Sequence, residues 1–262
     1  MNRLSVNNPF NAPVYYEDTV GSTMDVSRAL ASGGEPHGTV IVAGNQEAGR
    51  GRIRGRSWEM ARENDLPFTI LLRYPRIEAI PPALTLRTGL AVALAIEDFI
   101  GDRGDGGCVV LIKWPNDILL WDGGAAKKAA GILAEADGGN VHVGIGVNVS
   151  QREFPAHLSG KAASVGSAAG TAADPLALLE LILARLYSEI ETQQSGGADW
   201  LYRIEARLYK KGEQVSFSAG AAGSENTVSG ALAGIGSSGE LLILPAGETT
   251  PRSFLTGELV LH

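Results

Sequence analysis

The sequence predicts an α+β protein, with a mixed β-sheet first and a small β-barrel of the SH3 type at the C-terminus. In the first two-thirds of the chain, amphipathic helical runs and short apolar strand runs are interspersed. Four of the strand runs follow one another closely, which favours hairpins and a partly antiparallel sheet. After Gly212 only short strand runs separated by Gly, Ser and Asn remain. We therefore predict one domain over residues 1–210 and a second, packed on the first, over residues 211–262.

The first helix is predicted from the residues that would cap it. Ser22 stands three residues before Asp25, a spacing like that of a capping box, and Val26 and Leu30 follow at helical spacing. The pair Gly33-Gly34 then ends the helix. A strand is predicted before this helix, and two strands and a longer helix after it: residues 14–16, 39–43, 68–72 and 83–100.

The rest of the chain is predicted to contain two further helices between two groups of strands. Asp174 as a cap and Pro175 at the first helical position predict a helix that runs to about residue 191. A second helix, from Asp199 to about Tyr209, would end in Lys210-Lys211-Gly212, which suits the negative end of a helix dipole. Strands are predicted at residues 109–113, 118–121, 131–136, 141–149, 215–218, 227–232, 241–244 and 259–261.

The composition excludes several kinds of site. The chain has 262 residues with 22 Lys and Arg against 29 Asp and Glu, so its formal net charge is −7. A net acidic chain is a poor candidate for general nucleic-acid binding, which needs a basic surface. Cys108 is the single cysteine, so neither an internal disulfide nor a Cys-based zinc site can form. The four histidines are scattered, and no structural metal is expected.

The sequence offers neither a secretion signal nor a membrane span. Its first 19 residues lack the apolar run of a signal peptide. No window holds the roughly 18 uninterrupted apolar residues of a membrane helix. The most apolar long run, residues 84–100, is interrupted by Arg87, Glu97 and Asp98. We expect a soluble cytoplasmic protein without membrane contact.

The most unusual segment is rich in arginine and glycine. Four arginines lie within the seven residues 50–56 of this acidic chain. Glycines between them let backbone N–H groups turn toward a ligand, and guanidinium groups bind phosphate or carboxylate through two hydrogen bonds. One interpretation is a loop that closes on a phosphate-containing ligand. The other is a solvated basic loop or a nonspecific RNA contact, and residue chemistry leaves both open. The segment matches neither a P-loop nor a dinucleotide-binding turn.

Two further segments carry polar residues next to predicted strands. Lys113-Trp114-Pro115-Asn116-Asp117 places a cation, an amide and a carboxylate on a Pro-containing turn, where they could bind a nucleotide and a magnesium ion. It could equally be an ordinary hairpin turn. In residues 127–133 a lysine enters an apolar strand beside Gly131 and could point at an anion. The alternative is a surface lysine pair that protects a strand edge.

Together these three segments resemble the biotin protein ligases, enzymes that adenylate biotin and attach it to a carboxylase carrier domain. The resemblance covers residues 14 to about 165, and residues 256–261 resemble the end of the family's SH3-like domain. It implies a catalytic domain of the biotin/lipoate ligase type. The matching runs, in the family's order, are Gly21-Ser22-Thr23, Gln46-x-x-Gly49-Arg50-Gly51-Arg52, Gly55-Arg56-Ser57-Trp58, Lys113-Trp114-Pro115-Asn116-Asp117, Lys128-x-x-Gly131-Ile132-Leu133 and Gly144-Ile145-Gly146-Val147-Asn148.

The resemblance implies roles for individual residues. Short polar side chains suit the ureido ring of biotin, a neutral group with N–H donors and a carbonyl acceptor. The residues implied to bind biotin are Ser22, Thr23, Gln46, Gly49, Arg50, Gly51, Arg52, Lys128 and Gly131. Those implied to bind the nucleotide are Arg52, Arg56, Trp58, Lys113, Asn116, Asp117 and Asn148. Catalytic roles fall to Arg50, Arg52 and Lys128, and Asp117 is the candidate magnesium ligand.

The chain departs from the family pattern in three places. One additional residue separates Arg52 from Gly55, so Arg52 and Arg54 compete for the main phosphate contact, and we favour Arg52. The tract before Lys127 is longer than usual, so either Lys127 or Lys128 could reach the site. Pro67 puts the start of one predicted strand in doubt.

The implied reaction has two steps and uses ATP with Mg²⁺. Biotin is activated as biotinyl-adenylate, and a lysine of a biotin carboxyl carrier domain then takes the biotinyl group. No nucleophile from this chain is required. Lipoate-type ligases of the same fold and a catalytically silent ligand-binding homologue are the alternatives. An octanoyl transferase would need a nucleophilic cysteine, and Cys108 has no cationic neighbours in sequence.

The resemblance also bears on partners. Only 13 residues precede the first predicted strand, and they include Pro9 and Pro13, so we expect a monofunctional ligase without an N-terminal DNA-binding domain. We therefore expect that the protein does not bind DNA, and a homodimer remains an open alternative.

Overall fold

An eight-stranded mixed sheet forms the centre of the N-terminal unit in the computed structural model. The structure describes residues 1–53, 55, 57–58, 64–101, 107–192, 199–220 and 226–260. The strands are β1 Asn2–Arg3, β2 Val14–Val20, β3 Thr39–Gln46, β4 Asp65–Arg73, β5 Val109–Lys113, β6 Asp117–Trp121, β7 Lys127–Asp137 and β8 Asn140–Asn148. Their order is β1-β2-β3-β4-β8-β7-β6-β5, and only β2 and β3 pair in parallel. The predicted α+β class and the partly antiparallel sheet are confirmed.

In the described part of the chain, five α-helices accompany this sheet: α1 Thr23–Ser32, α2 Leu84–Ile100, α3 Val165–Ala169, α4 Pro175–Tyr187 and α5 Asp199–Glu205. The predicted start of α1 is confirmed, because the Ser22 side chain accepts a hydrogen bond from the Met24 amide. The start of α4 is confirmed in the same way, with Asp174 as its cap and Pro175 in the first turn.

Of two predicted helix ends, one is confirmed and one was wrong. The helical segment that begins with α4 continues as the π-helix Ser188–Thr192, so the predicted end near residue 191 is confirmed. Helix α5 ends at Glu205, not near Tyr209, because the next residues pair with strand β5. The Ile112 amide donates to Arg207 O (2.8 Å), and the Tyr209 amide donates to Ile112 O (2.9 Å). Backbone hydrogen bonds to a sheet edge therefore replace the last predicted helical turn.

Two short strands, Asn2–Arg3 and Arg252–Phe254, were not predicted, and the predicted bounds of several other strands were too short. Strand β1 spans only two residues, and the alternation that predicts a strand needs a longer run. Strand β4 begins at Asp65 despite Pro67. It pairs with β8 from Asp65 onward, but its pairing with β3 on the other side starts only at Phe68. The proline thus precedes the part of the strand that is paired on both sides.

Helix α2 is the central helix of the core. The stretch Ile77–Ile100 is apolar enough to cross a membrane by composition, but 67% of that window is buried inside the protein. Leu90 and Ile96 are completely buried, and the helix packs against α4 and strand β7. Burial of this extent is typical of a core helix in a globular fold.

The C-terminal residues form a separate five-stranded antiparallel sheet. Its strands are β9 Gln214–Ala219, β10 Asn226–Ile235, β11 Leu241–Pro245, β12 Arg252–Phe254 and β13 Gly257–Val260, in the order β12-β11-β10-β9-β13. The sheet confirms a change of architecture near the predicted place. A closed SH3-type barrel and a boundary between residues 210 and 211 stay predictions.

Trp114 joins this second sheet to the first unit. Its indole Nε1 donates to Gly239 O (2.9 Å), and its ring lies edge-on against Phe217, with 5.8 Å between the centroids. Gly239 has a φ of +91° and lies against α2, where a Cβ would stand 2.6 Å from the Ala83 Cβ. Backbone and aromatic contacts therefore fix the second sheet on the turn that carries Asn116 and Asp117.

We predict that Trp114→Phe lowers the free energy of unfolding by about 1 kcal/mol, because the ring packing remains but the bond to Gly239 is lost. Urea unfolding measures the change. Trp121→Phe is the matched control, since Trp121 is 40% exposed and its indole donates to Gly124 O, three residues away. Its expected cost is below about 0.5 kcal/mol. Equal costs for the two variants would contradict the docking role of Trp114.

Candidate active site

A cavity lies between the start of α1, the loop after β3 and the adjoining strands β7 and β8. Its empty volume is about 500 Å³. The lining is mixed, with hydroxyl, amide and cationic groups around an apolar and glycine-rich floor. The lining residues are Ser22, Thr23, Met24, Gln46, Arg50, Gly51, Arg52, Trp58, Phe68, Asn116, Lys128, Gly131, Ile132, Leu133, Gly144, Ile145 and Gly146.

The polar end of the cavity is formed by the first turn of α1. The Thr23 amide and hydroxyl both donate to Gln46 Oε1 (2.8 and 3.0 Å), and the Thr69 hydroxyl donates to the Thr23 hydroxyl (2.9 Å). Ser22 and Thr23 are buried, so these groups are held in a single arrangement. A buried set of hydroxyl and amide groups can bind a neutral polar ring. The structure brings the predicted residues Ser22, Thr23 and Gln46 together.

The floor of the cavity is a pair of glycines on neighbouring strands. Gly131 on β7 lies opposite Gly146 on β8. The Trp58 indole rests on this pair, since a Cβ at Gly146 would stand 2.5 Å from Trp58 Cε2 and a Cβ at Gly131 would stand 3.2 Å from Cζ3. Among the described residues, the buried Nε1 of Trp58 has no hydrogen-bond partner. Because these two glycines have no side chains, a flat group can lie directly on the sheet at this place.

Lys128 stands beside this floor. Its Nζ lies 2.7 Å from Asp117 Oδ1 and 5.4 Å from the centre of the Trp58 ring. It belongs to an inner strand, and its carbonyl accepts hydrogen bonds from the Ala163 amide (2.9 Å) and from Asn148 Nδ2 (3.2 Å). A lysine that protects a strand edge is therefore the wrong interpretation.

Lys127 faces elsewhere. It lines a separate, open groove together with Arg152 and Glu153. Successive side chains of a strand point to opposite faces, so only one of two adjacent lysines can reach the cavity. The structure places Lys128 there, and the role that the resemblance implies for Lys128 stays a prediction.

The turn after β5 contributes Asn116 and Asp117 to the site. The Trp114–Pro115 peptide bond is cis. Asn116 Nδ2 donates to Ile132 O (3.0 Å), and the Ile132 amide donates to Asn116 O (2.9 Å), so the turn is fastened to β7 next to the cavity. Lys113 is buried, and it does not line this cavity or the groove at Lys127. Its predicted nucleotide contact stays a prediction.

Backbone contacts join the two ends of the arginine-rich segment. The Trp58 amide donates to Gly49 O (3.0 Å), and Arg50 and Ser57 form a β-bridge. The Arg50 guanidinium makes two hydrogen bonds to Asp25, and Arg52 Nη2 donates to Gly257 O of β13 (3.0 Å). The two remaining arginines, Arg54 and Arg56, lie outside the described residues, as does any choice between Arg52 and Arg54 that depends on them.

A second cavity, of about 770 Å³, adjoins the first. Trp58 and Lys128 line both cavities and form the partition between them. The other lining residues are Ser57, Asn148, Gln151, Phe154, Pro155, Leu158, Lys161 and Ala162. The predicted residue Asn148 lies at this cavity, where its Nδ2 bonds to Lys128 O and Ala163 O.

Sequence reasoning missed the apolar wall of the second cavity. Phe154, Pro155 and Leu158 follow β8 in a loop, and no motif marks them. The only usable signal was three apolar residues in an otherwise polar segment. Such residues are usually assigned to packing, because sequence periodicity does not describe loops.

The described residues do not form a dedicated metal centre. No group of three or more His, Cys, Asp or Glu side chains lies close enough together in this part of the chain to hold a metal ion. Asp117 is a single carboxylate and is engaged by Lys128. Mg²⁺ prefers several oxygen ligands in octahedral geometry. This donor set therefore does not fit a resident Mg²⁺ ion. Asp117 as one ligand of an ion that is held mainly by a nucleotide stays a prediction.

Comparison with known proteins points to one family. The profile of the Biotin/lipoate A/B protein ligase family matches residues 18–151. A biotin–[acetyl-CoA-carboxylase] ligase of Paracoccus denitrificans is 36% identical over 79% of this chain and 85% of its own length. The bifunctional ligase/repressor BirA of Bacillus subtilis is 37% identical over 64% of this chain and 50% of its own length, so the chain spans about half of that relative.

A solved structure shares the fold over nearly the whole chain. It is the biotin protein ligase from Aquifex aeolicus in complex with biotin and ATP, with a TM-score of 0.76 and 28% identity. The alignment covers 94% of this chain and 97% of that one. Both the mixed sheet and the C-terminal antiparallel sheet are therefore shared with it.

We predict that Gly146→Ala displaces the Trp58 indole, because the added Cβ would lie 2.5 Å from the ring. The indole N–H resonances in a ¹H–¹⁵N spectrum measure the displacement, with Trp58→Phe used to assign the signal. The Trp58 signal should shift while that of the distant Trp121 stays in place. Gly33→Ala is the control, since its Cβ would meet no atom closer than 3.4 Å. An unmoved Trp58 signal in Gly146→Ala would contradict the described floor.

Proposed function

Because the chain belongs to the Biotin/lipoate A/B protein ligase family, we propose that it is an ATP-dependent biotin protein ligase. One observation carries the proposal. A single cavity joins the polar turn at Ser22 and Thr23, the glycine floor and the cations Arg52 and Lys128. Such a cavity can bind a neutral ring at one end and a carboxylate that meets a phosphate at the other.

Biotin would lie with its ureido ring at the start of α1. Ser22 and Thr23 supply hydroxyl groups and Gln46 an amide, which match a ring with two N–H donors and one carbonyl acceptor. The valeryl chain would run along the Trp58 ring, which itself covers Gly131 and Gly146 and lines the same cavity. The carboxylate would then lie near Lys128 Nζ, at the partition between the two cavities.

ATP would occupy the second cavity. Phe154 and Leu158 offer an apolar wall for the base, and Lys161 and Lys128 offer positive charge for phosphates. This position would place the α-phosphate beside the biotin carboxylate at Lys128. Arg56, Lys113 and Asn148 remain proposed nucleotide contacts. Mg²⁺ would arrive as the ion bound to ATP.

In the first step a carboxylate oxygen of biotin attacks the α-phosphorus. A bond forms between that oxygen and phosphorus, and the bond to the β-phosphate oxygen breaks, so that pyrophosphate leaves. Lys128 and Arg52 would stabilise the negative charge that develops on the phosphoryl oxygens. One preorganised donor of this kind is typically worth about 3–4 kcal/mol in the transition state. Positioning of the two reactants supplies the remainder.

In the second step the amine of an acceptor lysine attacks the carbonyl of the mixed anhydride, an amide forms and AMP leaves. We propose a biotin carboxyl carrier domain as the acceptor, in line with the name of the Paracoccus relative. No side chain of this chain acts as a nucleophile. Burial raises the pKa of the Cys108 thiol, which opposes the thiolate that acyl transfer through a cysteine would need.

The same family also contains ligases for lipoate, which is the second candidate. The paired hydroxyl and amide groups at Thr23 and Gln46 favour biotin, because lipoate has no polar ring for them to bind. A silent binding homologue is disfavoured by the retained cations Arg52 and Lys128. The acidic net charge of −7 gives no support to DNA binding, and we expect the reaction in the cytoplasm.

Exchange of labelled pyrophosphate into ATP tests the proposal directly. We expect exchange that depends on biotin and is not supported by lipoate or octanoate. Exchange with lipoate alone would favour the second candidate. Biotin binding without exchange would favour a silent homologue, and both results would contradict the proposed ligase.

We predict that Lys128→Ala slows formation of biotinyl-adenylate by more than about tenfold, because it removes a cation beside the reacting groups. Single-turnover measurement of pyrophosphate release follows this step. Lys127→Ala is the matched control, since Lys127 lines a different groove, and its rate should equal that of the unmodified protein. A slow Lys127→Ala and a normal Lys128→Ala would reverse the assignment.

We further predict that Arg52→Ala releases biotinyl-adenylate into solution, because the adenylate loses a cation that holds its phosphate. Hydrolysed biotin and AMP would accumulate in the absence of an acceptor. Dissociation of the labelled adenylate from the isolated complex measures the effect. Retention equal to that of the unmodified protein would transfer this role to another arginine of the segment.

A further inference from the structure

The first arginine of the loop is bound to an acidic residue of helix α1. Arg50 Nη2 donates to Asp25 Oδ1 (2.8 Å), and Arg50 Nη1 donates to Asp25 Oδ2 (3.0 Å). This parallel two-bond geometry is the strongest that an arginine and a carboxylate form. The bonds to Arg50 hold the pKa of Asp25 below its usual range, so the pair is ionised at neutral pH.

Asp25 belongs to the same helical turn as the proposed biotin contacts. Ser22 caps the helix, Thr23 bonds to Gln46, and Met24 lies against Gly144 on the floor of the cavity. Arg28, one turn later, also contacts Asp25 (2.9 Å) and makes an ion pair with Glu135 on β7. Because Asp25 lies in this turn, its carboxylate has a fixed place relative to the ring-binding end of the cavity.

Arg50 occupies the base of the arginine segment. The Arg50–Ser57 bridge and the hydrogen bond from the Trp58 amide to Gly49 O join the two ends of the segment here. Arg52 lies two residues further along and donates to a backbone carbonyl, that of Gly257. Among the described residues, Arg50 is therefore paired with a carboxylate, whereas the partner of Arg52 is an uncharged backbone carbonyl.

This difference in partners indicates different roles for Arg50 and Arg52. We propose that Asp25 is a positioning residue that fixes Arg50 as the anchor of the loop, so that Arg52 is held over the cavity to retain the adenylate. The inference rests on the proposed ligase function. It also moves Arg50 from a catalytic role to an anchoring one, since its charge is already matched by Asp25.

The test measures how fast biotinyl-adenylate leaves the enzyme, alongside the affinity for biotin alone. In Asp25→Asn the anchor Arg50 loses its ionic partner, and we expect adenylate release to become about three- to tenfold faster, the range for a partly exposed ion pair. Biotin affinity should stay unchanged, because Ser22, Thr23 and Gln46 keep their contacts. A purely structural defect in α1 would instead weaken both.

A double-mutant cycle separates action through Arg50 from other effects. Asp25→Asn should add nothing to the release rate in the Arg50→Gln background. Arg28→Gln is the matched control, because it removes the other cation on Asp25 and leaves the Arg50 pair in place. Its release rate should equal that of the unmodified protein. Asp25→Glu keeps the charge and should restore most of the retention, which also guards against a fold defect in Asp25→Asn.

Three results would overturn the inference: unchanged release in Asp25→Asn, additive effects of Asp25→Asn and Arg50→Gln, or parallel loss of biotin affinity. None of these results contradicts the proposed function, which fails only if the unmodified protein forms no biotinyl-adenylate. The two failures are therefore distinguishable within one set of assays.

Discussion

The site depends on a patch of sheet that carries no side chains. Gly131 and Gly146 face each other across β7 and β8, and the space above them is filled by the Trp58 ring. A methyl group at Gly146 would overlap that ring. All polar groups of the site are arranged around this patch, with the first turn of α1 at one end and Lys128 at the other. The sheet thus acts as a flat floor, and neighbouring elements supply the chemistry.

Charge balance explains how an acidic chain holds basic groups around this floor. The charge of Arg50 is paired with that of Asp25, and the charge of Lys128 with that of Asp117. Arg52 instead donates to the uncharged carbonyl of Gly257. An ionic partner reduces the repulsion between neighbouring cations, and an uncharged acceptor leaves most of the charge available to a ligand. The C-terminal sheet takes part in this balance through Gly257 and is itself fastened by the bond between Trp114 and Gly239.

Local signals predicted the parts of the fold that depend on local chemistry. The caps of α1 and α4 and the long helix α2 follow from residues a few positions apart. The end of α5 did not, because its last predicted turn is replaced by pairing with β5, a contact that sequence spacing cannot show. Strand β12 spans three residues and has too few positions for an alternating pattern.

The candidate site divides in the same way. Ser22, Thr23, Gln46 and Gly131 were predicted from motifs and are brought together by the fold. The choice between Lys127 and Lys128 required the sheet register, which shifts by a bulge between Ile118 and Leu119. The Asp25–Arg50 pair and the apolar wall at Phe154 were missed, since both depend on segments that meet only in three dimensions.

The most direct test of this account is a crystal structure of the protein with a nonhydrolysable analogue of biotinyl-adenylate. The account predicts the ureido ring at Ser22, Thr23 and Gln46, the acyl-phosphate linkage beside Lys128, and the adenine against Phe154 and Leu158. A ligand bound with its ring away from α1, or with its base outside the second cavity, would contradict it.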